Sequence, residues 1–354
     1  MNSLLLAPEL FTGEGGIPRI LRLYLKALCD LAGESDAVRF VSLNDRSVDS
    51  GELARYSSPA LQGWEACGRR KLRFARRGAA LARRSDRIIC GHVAQLPVAW
   101  LGTRLGRPRP YYLVAHGLEV WRPFSLAERL ALRGARRILC VSDYTRREIQ
   151  AHSMLPDEQL AVLPNALDPF LAPVAPAPPP AAPVILTVSR LSLADNYKGI
   201  EHLVAALPAV RAEIPEVRLR VVGRGDGLPS LQALARRLGV ADRVDFAGYR
   251  SDQELKGEFE RCRLFALPSQ KEGFGLVYLE AMAHGRPCLG ARSGGVPEVI
   301  TPATGVVVDY GRVEQIAATA VEALRRDWPL APLLERAKQF SYLRFRERLG
   351  TLLS

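Results

Sequence analysis

Short apolar runs alternate with longer amphipathic stretches along most of the chain. Such runs are typical of buried parallel strands, and the stretches between them are typical of helices that cover the sheet. The runs in the first half are residues 2–7, 39–43, 87–90, 111–115, 138–141 and 160–163. Those in the second half are residues 184–188, 217–222, 244–247, 264–267, 288–290 and 306–308. The pattern predicts an α/β protein with two parallel sheets.

A Pro- and Ala-rich segment separates the two series. Residues 171–183 contain the run APVAPAPPPAAP, which is typical of an extended, semi-rigid linker. A chain of 354 residues is also long for a single hydrophobic core. We therefore predict a first domain at 1–170, a linker at 171–183 and a second domain at 184–339.

Net charge, cysteine spacing and the length of apolar runs limit the classes of partner and the cellular location that we expect. The formal charge of +12 favours anionic partners such as nucleic acid, acidic lipid or phosphorylated substrates. The six cysteines are scattered without a C-x-x-C pair, which indicates reduced thiols. No run has the length of a membrane span, and the opening apolar run is too short for a signal peptide. We expect a cytoplasmic protein.

The basic charge is concentrated in residues 66–84. This segment contains eight Arg and Lys residues, no acid, and interleaved apolar residues that include Leu72, Phe74 and Leu81. Such a pattern is typical of an amphipathic helix on an anionic membrane surface. The alternatives are a solvated helix face over the sheet and a nucleic-acid contact, for which no binding motif accompanies the charge.

The most informative stretch is 264–285, LFALPSQKEGFGLVYLEAMAHG. A buried strand is followed by a glycine loop and by an apolar helix predicted at 276–284. Glu272 stands before that helix and Glu280 stands within it, where a carboxylate needs a partner. The start of a helix binds anions, and carboxylates accept hydrogen bonds from hydroxyls. The stretch predicts a site for a ligand with phosphate and hydroxyl groups, although Glu280 could instead pair within the core.

Other strand ends carry residues suited to the same ligand. Gly15 and Gly16 follow the first strand and open a helix, an arrangement that either cradles phosphate or forms a tight turn. Arg190 and Lys198 follow the strand at 184–188 and suit a diphosphate. His116 stands at the end of the strand at 111–115, where it is either a ligand contact or a structural hydrogen-bonding residue.

Glu272 and Glu280, with seven residues between them, resemble the E-x7-E motif of the retaining GT-B glycosyltransferases of family 4. The segment Gly294-Gly295-Val296-Pro297-Glu298 resembles the GG-x-P-E turn of that family. The resemblance covers nearly the whole chain and is most specific within 184–310. It implies two Rossmann-like domains that face a cleft, with a final helix at 340–354 crossing back to an acceptor-binding first domain.

The resemblance also implies roles for individual residues. His116, Arg190, Lys198 and Glu272 would be catalytic, with the two cations opposing the charge on the departing diphosphate. The residues implied in substrate binding are Gly15, Gly16, Gly223, Tyr249, Arg250, Phe274, Gly275, Leu276 and Glu280. No metal or other cofactor is expected, and the sequence contains no D-x-D motif.

We therefore predict transfer of a hexose from a nucleoside-diphosphate sugar to a glycan or a polyprenyl- or lipid-linked acceptor. By analogy with family members, this serves surface polysaccharide, lipopolysaccharide or glycolipid biosynthesis. GDP-mannose is favoured over UDP-glucose as donor, and no nucleic-acid partner is expected. The location would be cytoplasmic, either free or peripheral on the inner face of the cytoplasmic membrane through 66–84. Alternatives are a GT-B nucleotide-sugar epimerase, a basic nucleic-acid-binding protein and an inactive partner subunit.

Overall fold

The structure, a computed structural model, describes residues 1–13, 15–105, 108–171, 176, 178 and 180–354. It divides into two compact units, one of residues 1–168 and 342–354 and the other of residues 169–341. Residues 172–175, 177 and 179 of the predicted linker lie outside the described part of the chain.

Each unit is built on one parallel sheet, as predicted. The strands of the first sheet are β1 (Asn2–Ala7), β2 (Ala37–Ser42), β3 (Leu61–Ala66), β4 (Arg87–Cys90), β5 (Tyr111–Ala115), β6 (Arg137–Cys140) and β7 (Leu160–Val162). Those of the second sheet are β8 (Val184–Val188), β9 (Arg218–Val222), β10 (Val244–Gly248), β11 (Leu264–Leu267), β12 (Cys288–Ala291) and β13 (Gly305–Val308).

In both sheets the order of strand addition reverses beside the first strand. The order is β3-β2-β1-β4-β5-β6-β7 in the first sheet and β10-β9-β8-β11-β12-β13 in the second. Successive strands are added on one side of β1 or β8 and then on the other, as in doubly wound folds. The connections therefore diverge between β1 and β4, and between β8 and β11.

Helices cover the sheets. Those before the second sheet are α1 (Gly16–Asp30), α2 (Ser50–Arg55), α3 (Lys71–Ala82), α4 (Leu96–Arg104), α5 (Leu126–Gly134) and α6 (Asp143–His152). The remainder are α7 (Ile200–Glu213), α8 (Leu228–Arg237), α9 (Asp252–Arg261), α10 (Leu276–Ala283), α11 (Val313–Arg325), α12 (Leu330–Gln339) and α13 (Tyr342–Leu353). No helix in the described ranges combines the length and the apolar character that a bilayer crossing requires.

The first sheet lies between two helical layers. Side chains of α1 and of the last helix, α13, share one core on one face of the sheet. Tyr24 of α1 meets Phe345 of α13 edge to face, with 5.0 Å between ring centroids. Residues of α3, α4 and α5 share the second core. The final helix is thus part of the first unit although the second unit precedes it in sequence.

One strand, β3, is missing from the predicted set. Its burial alternates between half-buried and exposed residues, and Trp64 is 46% exposed. It pairs only with β2 and forms an edge of the sheet. An edge strand lacks the continuous apolar run by which the buried strands are recognised, and this explains the omission.

The basic segment forms α3, but its apolar residues do not all face outward. Phe74 is buried in the core, whereas Leu72 is 88% exposed. Phe74, Gly78 and Ala82 are the buried positions and recur every four residues, which places the core side along one stripe. Arg73 and Arg77 bond to Glu65 of β3, at 2.8 and 2.5 Å. The prediction that Phe74 belongs to a membrane-facing surface is therefore wrong.

A neutral histidine closes α10. His284 is 2% exposed, and its ring stacks on Phe259 with 5.2 Å between centroids. Its Nδ1 lies 2.8 Å from the carbonyl oxygen of Glu280. Because a carbonyl can only accept, Nδ1 carries the proton of the neutral ring. Burial lowers the pKa of His284 below its usual value of 6.5, so the folded protein favours the neutral form.

We expect His284 to make the second unit sensitive to acid. A lowered folded pKa means that the unfolded chain binds more protons, so the stabilisation is present above about pH 6.5 and declines as the pH falls below it. Thermal unfolding of the wild type and of His284→Gln should be followed at pH 7.5 and pH 5.5. The variant should lose less stability between these values, whereas the exposed control His152→Gln should match the wild type. Equal losses for all three proteins would contradict the assignment.

Candidate active site at the carboxyl ends of the strands

The second unit brings Lys198 and Glu272 into direct contact. Lys198 ends a 3₁₀ turn, Leu193–Lys198, after β8, and Glu272 lies in the loop after β11. The ammonium Nζ lies 2.8 Å from Oε2 of Glu272, and their side chains are 19% and 18% exposed. Because β8 and β11 flank the point where the connections diverge, this ion pair occupies the position where doubly wound sheets bind ligands.

Arg190 is held by a carboxylate that sequence reasoning missed. Asp195 lies within the 3₁₀ turn, and its Oδ2 is 3.1 Å from a guanidinium nitrogen of Arg190. Its Oδ1 accepts a hydrogen bond of 2.8 Å from the hydroxyl of Tyr197. The Asp195 side chain is 11% exposed and that of Arg190 is 63% exposed. An outward-facing cation is therefore anchored by a largely buried acceptor.

Tyr197 joins the turn to the loop after β11. Its carbonyl oxygen accepts the backbone N–H of Gln270 at 2.8 Å. The Nζ atoms of Lys198 and Lys271 lie 5.4 and 5.8 Å from the centroid of its ring. Burial, together with the hydrogen bond to Asp195, raises the pKa of Tyr197, so its hydroxyl stays protonated. The turn and the loop thus form one connected set of cations and carboxylates.

The glycine pair of the GG-x-P-E turn fits against the Glu272 loop. A Cβ on Gly294 would come within 2.2 Å of the carbonyl oxygen of Glu272, and Gly294 has a φ of +60°. A Cβ on Gly295 would meet the carbonyl oxygen of Gly273 at 2.4 Å. The Gly295 N–H donates to the Glu272 carbonyl at 2.8 Å. Only glycine permits this approach, which fixes the backbone at Glu272.

Glu280 lies where the sequence predicted it. It is 9% exposed in the middle of α10, between buried residues that include Leu279 and Ala281. The helix begins after Gly275, so the backbone N–H groups of its first turn are not used in i→i−4 hydrogen bonds of the helix. The side chain of Phe274 is 3% exposed and packs edge to face on Phe340, at 5.4 Å. Phe274 can therefore offer a ligand its backbone, as can the partly exposed Leu276.

Gly223 and Tyr249 extend this edge of the second sheet. The Gly223 N–H donates to the carbonyl of Gly248 at 2.9 Å, which joins the ends of β9 and β10. Tyr249 is 49% exposed, and the guanidinium of Arg224 lies 4.8 Å from its ring centroid. The side chain of Arg250 contacts helix α9. Its Nε lies 3.2 Å from buried Glu258, which also makes two hydrogen bonds with Arg220, at 2.8 and 2.9 Å.

The first unit carries its own group of predicted residues at the ends of β1, β4 and β5. His116 follows β5, and its Nε2 lies 2.9 Å from the carbonyl of Gly91, which follows β4. Nε2 is therefore the donor, and in the neutral ring Nδ1 is the acceptor. Burial lowers the pKa of His116 and keeps the ring neutral. Gly15 and Gly16 are exposed at the start of α1.

A buried aspartate holds the loop before α1. Asp45 is fully buried, and its carboxylate accepts the backbone N–H groups of Leu10, Phe11 and Thr12 at 2.9, 3.2 and 2.8 Å. Its own carbonyl accepts the N–H of Gly68 at 2.8 Å. Asp45 was not predicted as a site residue because it lies in an ordinary polar loop of the sequence, distant from the residues that it bonds.

Comparison with known proteins gives a consistent family. Residues 15–169 match the family model described as Glycosyltransferase Family 4, and residues 182–326 match that described as Glycosyl transferases group 1. The chain belongs to glycosyltransferase family 4.

Individual relatives of this family 4 chain differ in their sugars. It is 37% identical over 260 residues to the GDP-mannose-dependent alpha-(1-6)-phosphatidylinositol monomannoside mannosyltransferase of Mycolicibacterium smegmatis, covering 66% of each chain. It is 36% identical over 153 residues to the N-acetyl-alpha-D-glucosaminyl L-malate synthase of Bacillus anthracis, covering 43% of this chain and 39% of that one. The family 4 chain thus spans just under two thirds of the length of the mannosyltransferase.

A solved structure supports the predicted fold. The lipopolysaccharide outer core galactosyltransferase WaaB superposes with a TM-score of 0.77 at 18% identity, over 100% of this chain and 99% of that chain. At this identity the likeness concerns the fold alone. The predicted GT-B class is confirmed, whereas the roles assigned to individual residues, including Gly15, Gly16 and His116, stay predictions.

We expect Asp45→Asn to destabilise the first unit. The amide replaces an acceptor oxygen with a donor, so at least one buried N–H loses its partner, at a cost of about 1–3 kcal/mol. Urea unfolding monitored by circular dichroism measures the change. Asp157→Asn, at an exposed carboxylate of the same unit, is the control and should change stability by less than about 0.5 kcal/mol. Similar stabilities for the two variants would show that Asp45 does not hold the loop.

Proposed function

We propose that the protein transfers mannose from GDP-mannose to a lipid-linked acceptor, with retention of the anomeric configuration. The observation that carries the proposal is the Lys198–Glu272 ion pair where the connections of the second sheet diverge. The named activity of the Mycolicibacterium relative supports mannose and a lipid acceptor. Because the Bacillus relative has a different named product at similar identity, the sugar needs a direct test.

The ion pair suits a ligand that carries both a sugar and a diphosphate. A lysine ammonium has three donors, so Lys198 can retain its ion pair with Glu272 and also donate to a phosphate oxygen. A carboxylate has two oxygens, so Glu272 can accept a sugar hydroxyl while Oε2 remains bonded to Lys198. Charge grows on the diphosphate as its bond to the sugar breaks, and Lys198 and Arg190 would stabilise that charge.

The proposed reaction needs no bound metal for its charge balance. The acceptor oxygen forms a bond with the anomeric carbon while the bond from that carbon to phosphate breaks. The acceptor proton passes to the departing phosphate, whose negative charge faces Arg190 and Lys198. Asp195 orients Arg190 through the 3.1 Å contact, and Glu280 takes the ribose hydroxyls.

The deciding experiment is a donor screen. The full chain is incubated with GDP-mannose, UDP-glucose or UDP-N-acetylglucosamine in the presence of a membrane lipid extract, and release of nucleoside diphosphate and labelled lipid is measured. Labelled lipid with GDP-mannose alone would support the proposal. Transfer from a UDP-sugar would show that the donor is not GDP-mannose. Interconversion of the sugar without transfer would indicate an epimerase instead.

We expect Glu280→Ala to weaken binding of the donor. Loss of hydrogen bonds from ribose hydroxyls to a charged acceptor should cost about 1.5–3 kcal/mol for each bond. Titration calorimetry with GDP measures the effect, with circular dichroism to verify the fold. Glu298→Ala, at the carboxylate of the neighbouring GG-x-P-E turn, provides a comparison. An unchanged affinity for GDP in a folded Glu280→Ala protein would exclude the role.

Arg190→Ala and Lys198→Ala should each lower kcat by about 100- to 1000-fold, because each removes a charge that acts on the transition state. Thermal stability should change little for the exposed Arg190. Lys271→Ala, in the same loop, is the control and should stay within about tenfold of wild type. Activity should also survive EDTA. Near-normal turnover in both variants would refute the phosphate assignment, and a metal-reversible loss in EDTA would refute the metal-free reaction.

A further inference from the structure

Three helices of the first unit present a common outer surface. Side chains of α3, α4 and α5 enter the same core on one face of the sheet. The helix α4 packs between the other two, in contact with both. Because the three helices share one face of one sheet, their sides opposite the core point in the same direction.

Leucines occupy the outer side of this layer, which we call the leucine ridge. Leu101 and Leu105 of the α4 segment are 46% and 57% exposed. Leu126 and Leu130 of α5 are 67% and 43% exposed. Residues four apart share one side of a helix. The buried positions lie on the other side and include Leu96 and Ala99 of α4 and Ala131 and Leu132 of α5.

The charge around the ridge is predominantly positive, although Arg73 and Arg77 are paired with Glu65 of β3. Every cation within the three helices is exposed: Lys71, Arg73, Arg76, Arg77, Arg104, Arg129 and Arg133. The acid among these helical residues is Glu128, which is 8% exposed and bonded to Arg122 at 2.7 Å. Helix α6 differs, since it carries Asp143 and Glu148. Within α3, α4 and α5 the exposed charged residues are therefore all cations.

We propose that this surface docks on an anionic lipid bilayer, with the leucine ridge inserted at the interface and the cations on the headgroups. The inference adds an apolar contact to the basic segment 66–84, and its purpose, access to a lipid-linked acceptor, rests on the proposed function. Nucleic acid would satisfy the cations but would not bury the leucines. A bilayer satisfies both, since interfacial helices bind through apolar area as well as charge.

The two contributions differ in their response to salt. At high ionic strength the attraction between exposed charges is screened over a few ångströms. Insertion of leucines is not screened by salt, because it depends on apolar area rather than on charge. A protein held only by charge leaves the vesicle in high salt, whereas a protein that has also inserted its leucines is partly retained.

The test uses the full chain and co-sedimentation with vesicles of phosphatidylcholine, with or without half phosphatidylglycerol, in 0.1 M and 0.5 M NaCl. The leucine variant combines Leu101→Gln, Leu105→Gln, Leu126→Gln and Leu130→Gln. The arginine variant combines Arg76→Gln, Arg104→Gln, Arg129→Gln and Arg133→Gln, all at exposed cations of the three helices. The control, Leu193→Gln with Leu330→Gln, changes exposed leucines of the second unit. Circular dichroism verifies that each variant folds.

Wild type and control should bind the anionic vesicles and stay partly bound in 0.5 M NaCl. The leucine variant should bind about tenfold more weakly in 0.1 M NaCl and be released fully in 0.5 M NaCl. The arginine variant should lose about fivefold in affinity for each cation near the surface. Equal binding of wild type and leucine variant in both salts would overturn the ridge. Failure of the wild type to sediment with anionic vesicles would overturn the whole surface, and binding to a DNA duplex alone would assign it to nucleic acid.

The outcome is separable from that of the proposed function. Calorimetric binding of GDP by the leucine variant in solution should equal that of the wild type, because the ridge contains no proposed donor contact. A protein that transfers mannose but ignores vesicles would refute only the docking surface. One that binds vesicles through its leucines but accepts no nucleotide sugar would refute only the enzymatic proposal.

Discussion

The ion pair between Lys198 and Glu272 exists because the second sheet reverses its order beside β8. Segments that leave the ends of β8 and β11 run in different directions and open a space between them. In that space the ammonium of Lys198 and the carboxylate of Glu272, which are 19% and 18% exposed, oppose each other's charge at 2.8 Å. The ring of Tyr197 lies beside Lys198, and Gly294 and Gly295 pack against the backbone of Glu272.

Backbone hydrogen bonds hold the two segments that carry the pair. The Tyr197 carbonyl binds the Gln270 amide, and the Gly295 amide binds the Glu272 carbonyl. Both contacts act on the main chain next to a charged residue, so they limit its position without using its side chain. The ammonium and the carboxylate remain available for a ligand. A site built in this way loses little entropy when the ligand arrives.

In the first unit, too, hydrogen bonds to the backbone hold a loop at the end of a strand. Asp45 fixes the loop before α1 through three backbone amides, while its carbonyl binds Gly68 near the start of the basic helix. Its outward helices expose leucines and arginines, whereas Phe74 and Ala82 of α3 turn inward to the core. In the two proposals made above, the second unit would bind the diphosphate of the donor and the first would contact lipid.

The sequence alone determined the two sheets and the places of Glu272 and Glu280 in the loop and helix after β11. Buried parallel strands are continuous apolar runs, and Glu272 stands just before the helix in which Glu280 lies, so both signals are local. The edge strand β3 was missed because its residues are half exposed. Only the tertiary structure showed Asp195 beside Arg190, the hydrogen bonds from the loop before α1 to Asp45, and the alignment of leucines from α4 and α5. Each depends on how separate elements pack together, and a local pattern in one chain segment carries no record of that packing.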